Sequence, residues 1–344
     1  MKGVKHCLTL VISFFFIIQA EISCSSALTN DFQWVGRFGD QLYGYYIAKV
    51  LSHVYEIPFL YKPICYSDQL VMSVEEKYFD QKDLHRFRTA VKIGNDVPAS
   101  FELRKDNATL YTVNLYSHCW KKLLEKKGIL FKKNRMMIKD QSFLQDLKQK
   151  ISPLASLDLE EVYRPEDQIS VAVHVRRGGG FDPPLLQKMG DDKSTGINNF
   201  KKKYSRNRIP ADVGYPEKFP PLRFYVDQVK KIAAMFNNEP LYVHIFTDDK
   251  NPQALLDYFK NELKGFSLTL ATRLTGNSHD KNVLEDFFGM TKFDCLVRPV
   301  SYFSVMAEIV GNHKIVISPK ALHWEKEQLI VDSVEITDNR CAYE

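Results

Sequence analysis

His174, Arg176 and Arg177 stand side by side at the end of one apolar run, and Gly178, Gly179 and Gly180 follow them directly. Guanidinium forks match phosphate oxygens in both geometry and charge. Glycine lets the backbone turn sharply and come close to a ligand. The run ahead of them, Ile169 to Val175, is almost continuously apolar and β-branched. Such a run is expected of a buried central strand in a parallel sheet. Open α/β sheets bind ligands beyond the carboxyl ends of their strands. The stretch therefore predicts a strand that delivers an imidazole and two guanidiniums to a diphosphate-bearing ligand. Taken alone, the same residues also fit a strand with a solvated basic end and a loose turn.

Other residues add to this only in combination. Gly36-Arg-Phe-Gly39 reads as a turn feeding a helix, with Asp40 as its cap and Gln41 behind it. Free amides at a helix start can cradle an anion, although the spacing is neither Walker A nor the dinucleotide fingerprint. Asp248 and Asp249 end an apolar strand, and Asp286 sits near a helix start, where it could accept the amino groups of a purine. Ser301 and Ser304 open another helix and offer hydroxyl and amide donors to phosphate oxygens. Each has a plainer role as a cap, a turn or a favourable acid. The chain has no Asp-x-Asp, a pattern that often holds a divalent metal on nucleotide diphosphates. Arginines can supply the same charge to a departing diphosphate. No His/Cys cluster has transition-metal spacing, and no Gly-x-Ser-x-Gly elbow is present.

The elements that must position these groups alternate in type. Phe32–Val35 and Pro58–Tyr61 read as strands flanking a helix whose apolar face runs from Leu42 to Val54. A strand is expected over Tyr111–Leu115, and helices over Leu123–Leu130 and Phe143–Ile151. Residues 152–165, with two prolines and several acids, read as a linker. Beyond the central strand, 178–221 reads as a long irregular insertion, either a lid or a disordered segment. Strand and helix then alternate: helix Leu222–Phe236, strand Leu241–Phe246, a helix capped by Asn251 with Pro252 first, strand Phe266–Ala271. Helix Val283–Met290, strand Cys295–Val297, helix Ser301–Val310 and strand Lys314–Ser318 complete the series. The pattern is that of doubly wound α/β sheets.

Length and composition fit this division. The chain has 344 residues, room for about two domains. A net charge of +5 is small, and no nucleic-acid signature accompanies it. Lys2 and Lys5 precede an apolar run, Leu8 to Ile18, followed by small residues from Ser23 to Ala27. That is the pattern of a secretory signal, with membrane anchoring through residues 7–20 as the alternative. Residues 1–26 are read as this leader, 27–152 as an N-terminal α/β domain, and 166–344 as a C-terminal one. The expected location is the secretory pathway or a membrane surface. The six cysteines fit no zinc spacing, and their pairing stays open. Asn107-Ala-Thr109 is a glycosylation sequon.

His174-Val-Arg-Arg-Gly178 resembles the signature of the fucosyltransferase superfamily, which includes α1,2-, α1,6- and protein O-fucosyltransferases. Gly36-Arg-Phe-Gly-Asp-Gln41 is similar to the glycine loop of the α1,2 branch, and Thr247-Asp-Asp249 to a motif of the α1,6 branch. Asp286 with Ser301-Tyr-Phe303-Ser304 resembles the third family motif. The resemblance implies two facing Rossmann-like domains of the GT-B type, the N-terminal one on the acceptor side. It implies a nucleotide-sugar donor, GDP-fucose, with no further cofactor and no metal, a glycan or glycoprotein acceptor, and inversion at the anomeric carbon. Arg176 or Arg177 would contact the β-phosphate and Asp286 the guanine. Gly36, Gly39, Gln41, His174, Asp249, Ser301, Phe303 and Ser304 would complete the donor site. The sequence departs from the pattern at Gly179, where the family commonly has Asp; Asp182 or Asp248 is the expected base. That departure leaves two alternatives: a non-catalytic glycan- or nucleotide-binding protein on the same fold, and transfer from another nucleotide sugar.

Overall fold

The computed structural model describes residues 25–30, 36–94, 97–98, 100–132, 135–157, 159, 162, 165, 167–178, 211–278, 280–325 and 328–340. The N-terminal apolar run, the strand expected at Phe32–Val35, Gly179, Asp182 and the basic run from Lys201 lie outside them. Among the described residues no helix is long and apolar enough to cross a membrane. The chain divides into two compact units, Met1–Lys132 with Met136–Ala155, and Lys133–Arg135 with Ser156–Glu344.

The first unit is built on a parallel four-stranded sheet, β1 Ala27–Asn30, β2 Phe59–Leu60, β3 Thr89–Ile93 and β4 Thr109–Val113, in the order β2-β1-β4-β3. β1 starts where the leader was expected to end. Ser26, just before it, is buried; its hydroxyl donates to Asn107 Oδ1 at 2.6 Å and accepts from the Thr109 amide at 3.1 Å. The sequon thus forms the entry into β4, an interior strand of the sheet. Helix α1, Phe38–Tyr55, starts earlier than expected. Asp40 is not the cap residue but sits in the first turn, where its carboxylate accepts the Arg37 amide at 3.2 Å. The apolar face read from Leu42 to Val54 is buried as far as Leu51, with Val54 half-buried, and a second, polar seam lies beside it. There Tyr45 donates to Glu76 at 2.6 Å and Lys49 pairs with the same carboxylate at 2.8 Å. The expected strand at 111–115 is shifted to Thr109–Val113, and the expected helix at 123–130 is α2, Cys119–Lys126. Strands β5 Leu130–Lys132 and β6 Arg135–Met137 precede helix α3, Gln141–Ile151, which Asp140 caps.

The second unit carries the larger sheet. Its strands are β7 Ile169–Val175, β8 Leu241–Thr247, β9 Leu268–Thr272, β10 Cys295–Val297, β11 Ile315–Glu325 and β12 Gln328–Asp338. The order is β12-β11-β10-β7-β8-β9, with every pair parallel except β11–β12. The chain winds one way from β7 through β8 to β9, then returns to the other side of β7 for β10 and β11. The winding direction therefore reverses between β7 and β10. Helices α4 Leu222–Met235, α5 Pro252–Glu262, α6 Val283–Met290 and α7 Tyr302–Val310 connect the strands.

Strand side chains alternate between faces. Val171, Val173 and Val175 point into a core shared with Val226, Val229 and Phe259. Residues of even number point the other way, and the β7–β8 register aligns Ala172 with His244 and His174 with Phe246. On that second face Tyr242, His244, Phe246 and Phe293 form an aromatic cluster. At the amino end of the sheet, Asp294 accepts from the Ser170 amide and hydroxyl at 3.0 and 2.6 Å and pairs with Lys314 at 3.2 Å.

The insertion read over 178–221 is not irregular throughout. Ala211–Gly214 is a short helix, Pro216–Lys218 a single 3-10 turn, and Phe219 is fully buried. The last expected strand runs on past Ser318 to Glu325 and returns as β12, which mixed polarity hid from the sequence reading.

Candidate functional site

The carboxyl ends of β7, β8, β9 and β10 carry charged residues in each case: Arg176 and Arg177, Asp248 and Asp249, Arg273, and Arg298. In open α/β sheets such a reversal, here between β7 and β10, is where a ligand crevice is expected. Arg176 leans toward that crevice. Its Nη1 donates to Ser301 Oγ at 3.1 Å, across the switch from β7 to the loop after β10. Its guanidinium also lies over the Phe219 ring, 5.5 Å from the centroid. Ser301 is the N-cap residue of α7, yet its side chain makes no cap bond. A serine at this place is normally worth about 1 kcal/mol as a cap. Here the hydroxyl is turned to the arginine instead.

Arg177 leans the other way, toward β8. Its amide donates to Asp248 Oδ1 at 2.5 Å, and its Nε to Asp249 Oδ2 at 3.1 Å. Asp249 also accepts the Asn251 amide at 2.9 Å, and Asn251 caps α5. The Thr-Asp-Asp stretch therefore secures the turn after β7 to the start of α5. Gly178 follows at φ +83°, the left-handed region that favours glycine. Beneath this turn the Tyr225 hydroxyl is buried; burial pushes its phenol well up, Arg177 pulls against that, and Asp248 adds to it.

His174, on the second face of β7, packs against Phe303 with ring centroids 5.7 Å apart, and Phe303 packs against Phe287 at 5.6 Å. This aromatic chain connects the end of β7 to α7 and α6. Asp286, beside Phe287, pairs with Arg273 at 3.1 Å. Ser304 is fully buried and donates back to the Ser301 carbonyl at 3.2 Å, so it stabilises the helix start. Below the crevice, Arg298 Nε donates to Glu308 Oε2 at 2.7 Å, and its Nη1 to the Pro299 carbonyl at 3.1 Å. Arg135 reaches Glu308 Oε1 at 2.9 Å. Burial pushes the Glu308 carboxyl up, but Arg298 and Arg135 outweigh it and hold the group below the usual carboxylate range.

The structure thus gathers His174, Arg176, Arg177, Asp248, Asp249, Ser301, Phe303 and Ser304 around the ends of β7 and β8 and the start of α7. Arg273, Arg298 and Phe219 are further members that sequence reasoning missed. Arg298 had a signal: it follows a short apolar strand as Arg176 does. Phe219 had none. Of the other candidates, Asp286 stands on α6 of the same unit, Asp182 lies outside the described residues, and Gly36, Gly39 and Gln41 belong to the first unit. Gly36 sits at φ +69°, and Gly39 lies within α1. Gln41 is buried and closes its own turn, accepting the Cys65 amide at 2.8 Å and donating to the Gly36 carbonyl at 3.3 Å. Among the described residues no group of three or more His, Cys, Asp or Glu is arranged to hold a metal ion.

No protein-family model matches the chain, and no curated protein matches it. Solved structures do. A mutant of FUT1 from Arabidopsis thaliana in complex with GDP superposes with a TM-score of 0.50 at 9% identity, over 85% of this chain and 70% of that one. POFUT1 in complex with GDP-fucose follows with a TM-score of 0.41 at 10% identity, over 85% and 95% of the two chains. The fucosyltransferase NodZ from Bradyrhizobium gives 0.40 at 9% identity, over 92% and 99%. The first likeness shows a shared fold; the other two are too distant to argue from.

Proposed function

We propose that this chain is an inverting glycosyltransferase that moves fucose from GDP-fucose to a hydroxyl of a glycan or glycoprotein, without a metal ion. The observation that carries the reading is Arg176, placed at the switch between β7 and β10 and joined there to Ser301. Its cation meets the charge that grows on the leaving diphosphate as the bond from the anomeric carbon to oxygen breaks. The acceptor oxygen forms the new bond from the opposite side, GDP departs with the electron pair, and the acceptor proton passes to a carboxylate, the part this reading gives to Asp182 or Asp248, or to solvent water. Arg177, turned toward Asp249, secures the loop that presents Arg176. Asp286, steadied by Arg273, is the group for the base edge of the nucleotide. The reading includes two facing Rossmann-like domains and a donor loop at Gly36–Gln41, as the resemblance implies. The likeness to the GDP complex of FUT1 supports it at the level of fold.

One observation favours the non-catalytic alternative. Asp248 spends Oδ1 on the Arg177 amide and Asp249 is paired with the Arg177 side chain, so both described acids of this turn are already engaged. The two readings separate in one experiment. The protein is incubated with GDP-fucose and a glycan array, and products are read by mass, beside thermal shifts with GDP, UDP and ADP, with and without chelator. A mass increment of one deoxyhexose and a shift selective for GDP are expected. GDP-selective stabilisation with no transfer would replace the enzyme by the binding protein. A larger shift with UDP or ADP would assign another donor.

A further inference from the structure

Two of the groups that hold Arg176 come from different parts of the chain. Ser301 follows β10, and Phe219 ends the 3-10 turn Pro216–Lys218. These two are joined to one another: the Val300 amide donates to the Glu217 carbonyl at 2.9 Å. Arg176, Ser301, Val300, Glu217 and Phe219 therefore close a ring of contacts around one guanidinium. Phe219 is 1% exposed, and Pro220 and Pro221 follow it, removing backbone freedom on that side. A cation within about 6 Å of a ring centroid is attracted by the ring face, most strongly where water is excluded. A ring face against the guanidinium also constrains the tilt of its plane.

We propose that Phe219 is a positioning residue: its ring presets the Arg176 guanidinium at the crevice in the orientation that receives the β-phosphate. The inference rests on the reading of Arg176 as the diphosphate contact and adds the element that aims it. The segment just ahead of α4 is then part of the donor site rather than the end of a loop.

The test is calorimetric binding of GDP and of GMP to wild type, Phe219→Leu and Phe219→Tyr in the full chain. GMP lacks the β-phosphate, so it reports the pocket without the contact in question. Phe219→Leu is expected to weaken GDP about tenfold, the scale of a desolvated cation–ring contact, and to leave GMP unchanged. Phe219→Tyr keeps the ring and is expected to bind GDP within about twofold of wild type. Phe219→Leu binding GDP as wild type does, or losing GDP and GMP alike, overturns the proposal in favour of simple packing. Site-specific fluorinated phenylalanines at 219 keep the shape while weakening the ring face, so they decide the matter if Phe219→Leu does not fold. A graded loss of GDP affinity with fluorination supports the proposal; a flat series defeats it. Wild type that binds GMP as tightly as GDP removes the diphosphate role of Arg176, and the proposal with it.

Discussion

Two adjacent arginines with identical chemistry are separated here by what each one touches. Arg176 is turned across the switch to Ser301, and Arg177 is turned to Asp249 on the far side of β7. Arg176→Ala is expected to abolish transfer while the fold is kept, checked by product mass and circular dichroism. Asp249→Asn breaks a partly exposed pair, which is worth at most about 1 kcal/mol. Its melting temperature is therefore expected to change little, and turnover to stay within severalfold. Ser301→Ala removes a hydroxyl that caps nothing, so it should cost less stability than the roughly 1 kcal/mol of an ordinary N-cap loss. Donor KM should rise nonetheless, a combination that steady-state kinetics and a melting curve read together. The arginine pair was legible in the sequence because it ends an unbroken apolar run. Which arginine faces the crevice was not, because that depends on Asp249 and Ser301, seventy-two and 125 residues away.

Strands and helices were legible where burial is complete. β7, β8 and β10 are mainly apolar and almost wholly buried, and were read close to their true bounds. β3 and β12 were missed because their residues are largely exposed or half-buried and mix polar with apolar types. β1 was missed because its four residues, Ala-Leu-Thr-Asn, carry little hydrophobic signal. The turn before α1 shows why a glycine stands at 36. At φ +69° a side chain is strained, and a Cβ there would lie 2.5 Å from Asp40 Oδ2. Gly36→Ala is expected to destabilise the protein by about 1–3 kcal/mol, measured as a shift of the denaturation midpoint. In β8, burial followed by the field of Arg273 lowers the His244 pKa to about 4. The folded state therefore keeps this imidazole neutral where the unfolded chain protonates it. Stability is lost as pH falls from about 6.5 toward 4, by up to roughly 3 kcal/mol from this group. His244→Gln should flatten that part of the stability curve, seen by comparing melting temperatures of the two proteins between pH 7 and pH 4.5.

Across the chain, the groups that the proposal assigns to the nucleotide lie mostly in the second unit, around the carboxyl ends of its sheet. GDP at a hundred times its dissociation constant would stabilise the native state by about 2.7 kcal/mol. Hydrogen exchange should show where: amides of 174–178 and 298–304 are expected to slow on GDP addition, while those of β11 and β12 stay unchanged. Uniform protection along the sheet would contradict a site confined to the β7–β10 switch. The corner beneath that switch has its own implication. Arg298 and Glu308 are both nearly sealed from water, and each is the other's counterion. Losing Glu308 alone strands the Arg298 charge in the interior, at a cost of about 3–5 kcal/mol, and losing Arg298 alone leaves Glu308 to the partly exposed Arg135. A lineage cannot drift through that intermediate easily. Among distant descendants of the same ancestor these two positions should change together or not at all, and an engineer wishing to reshape the corner must replace both in one step.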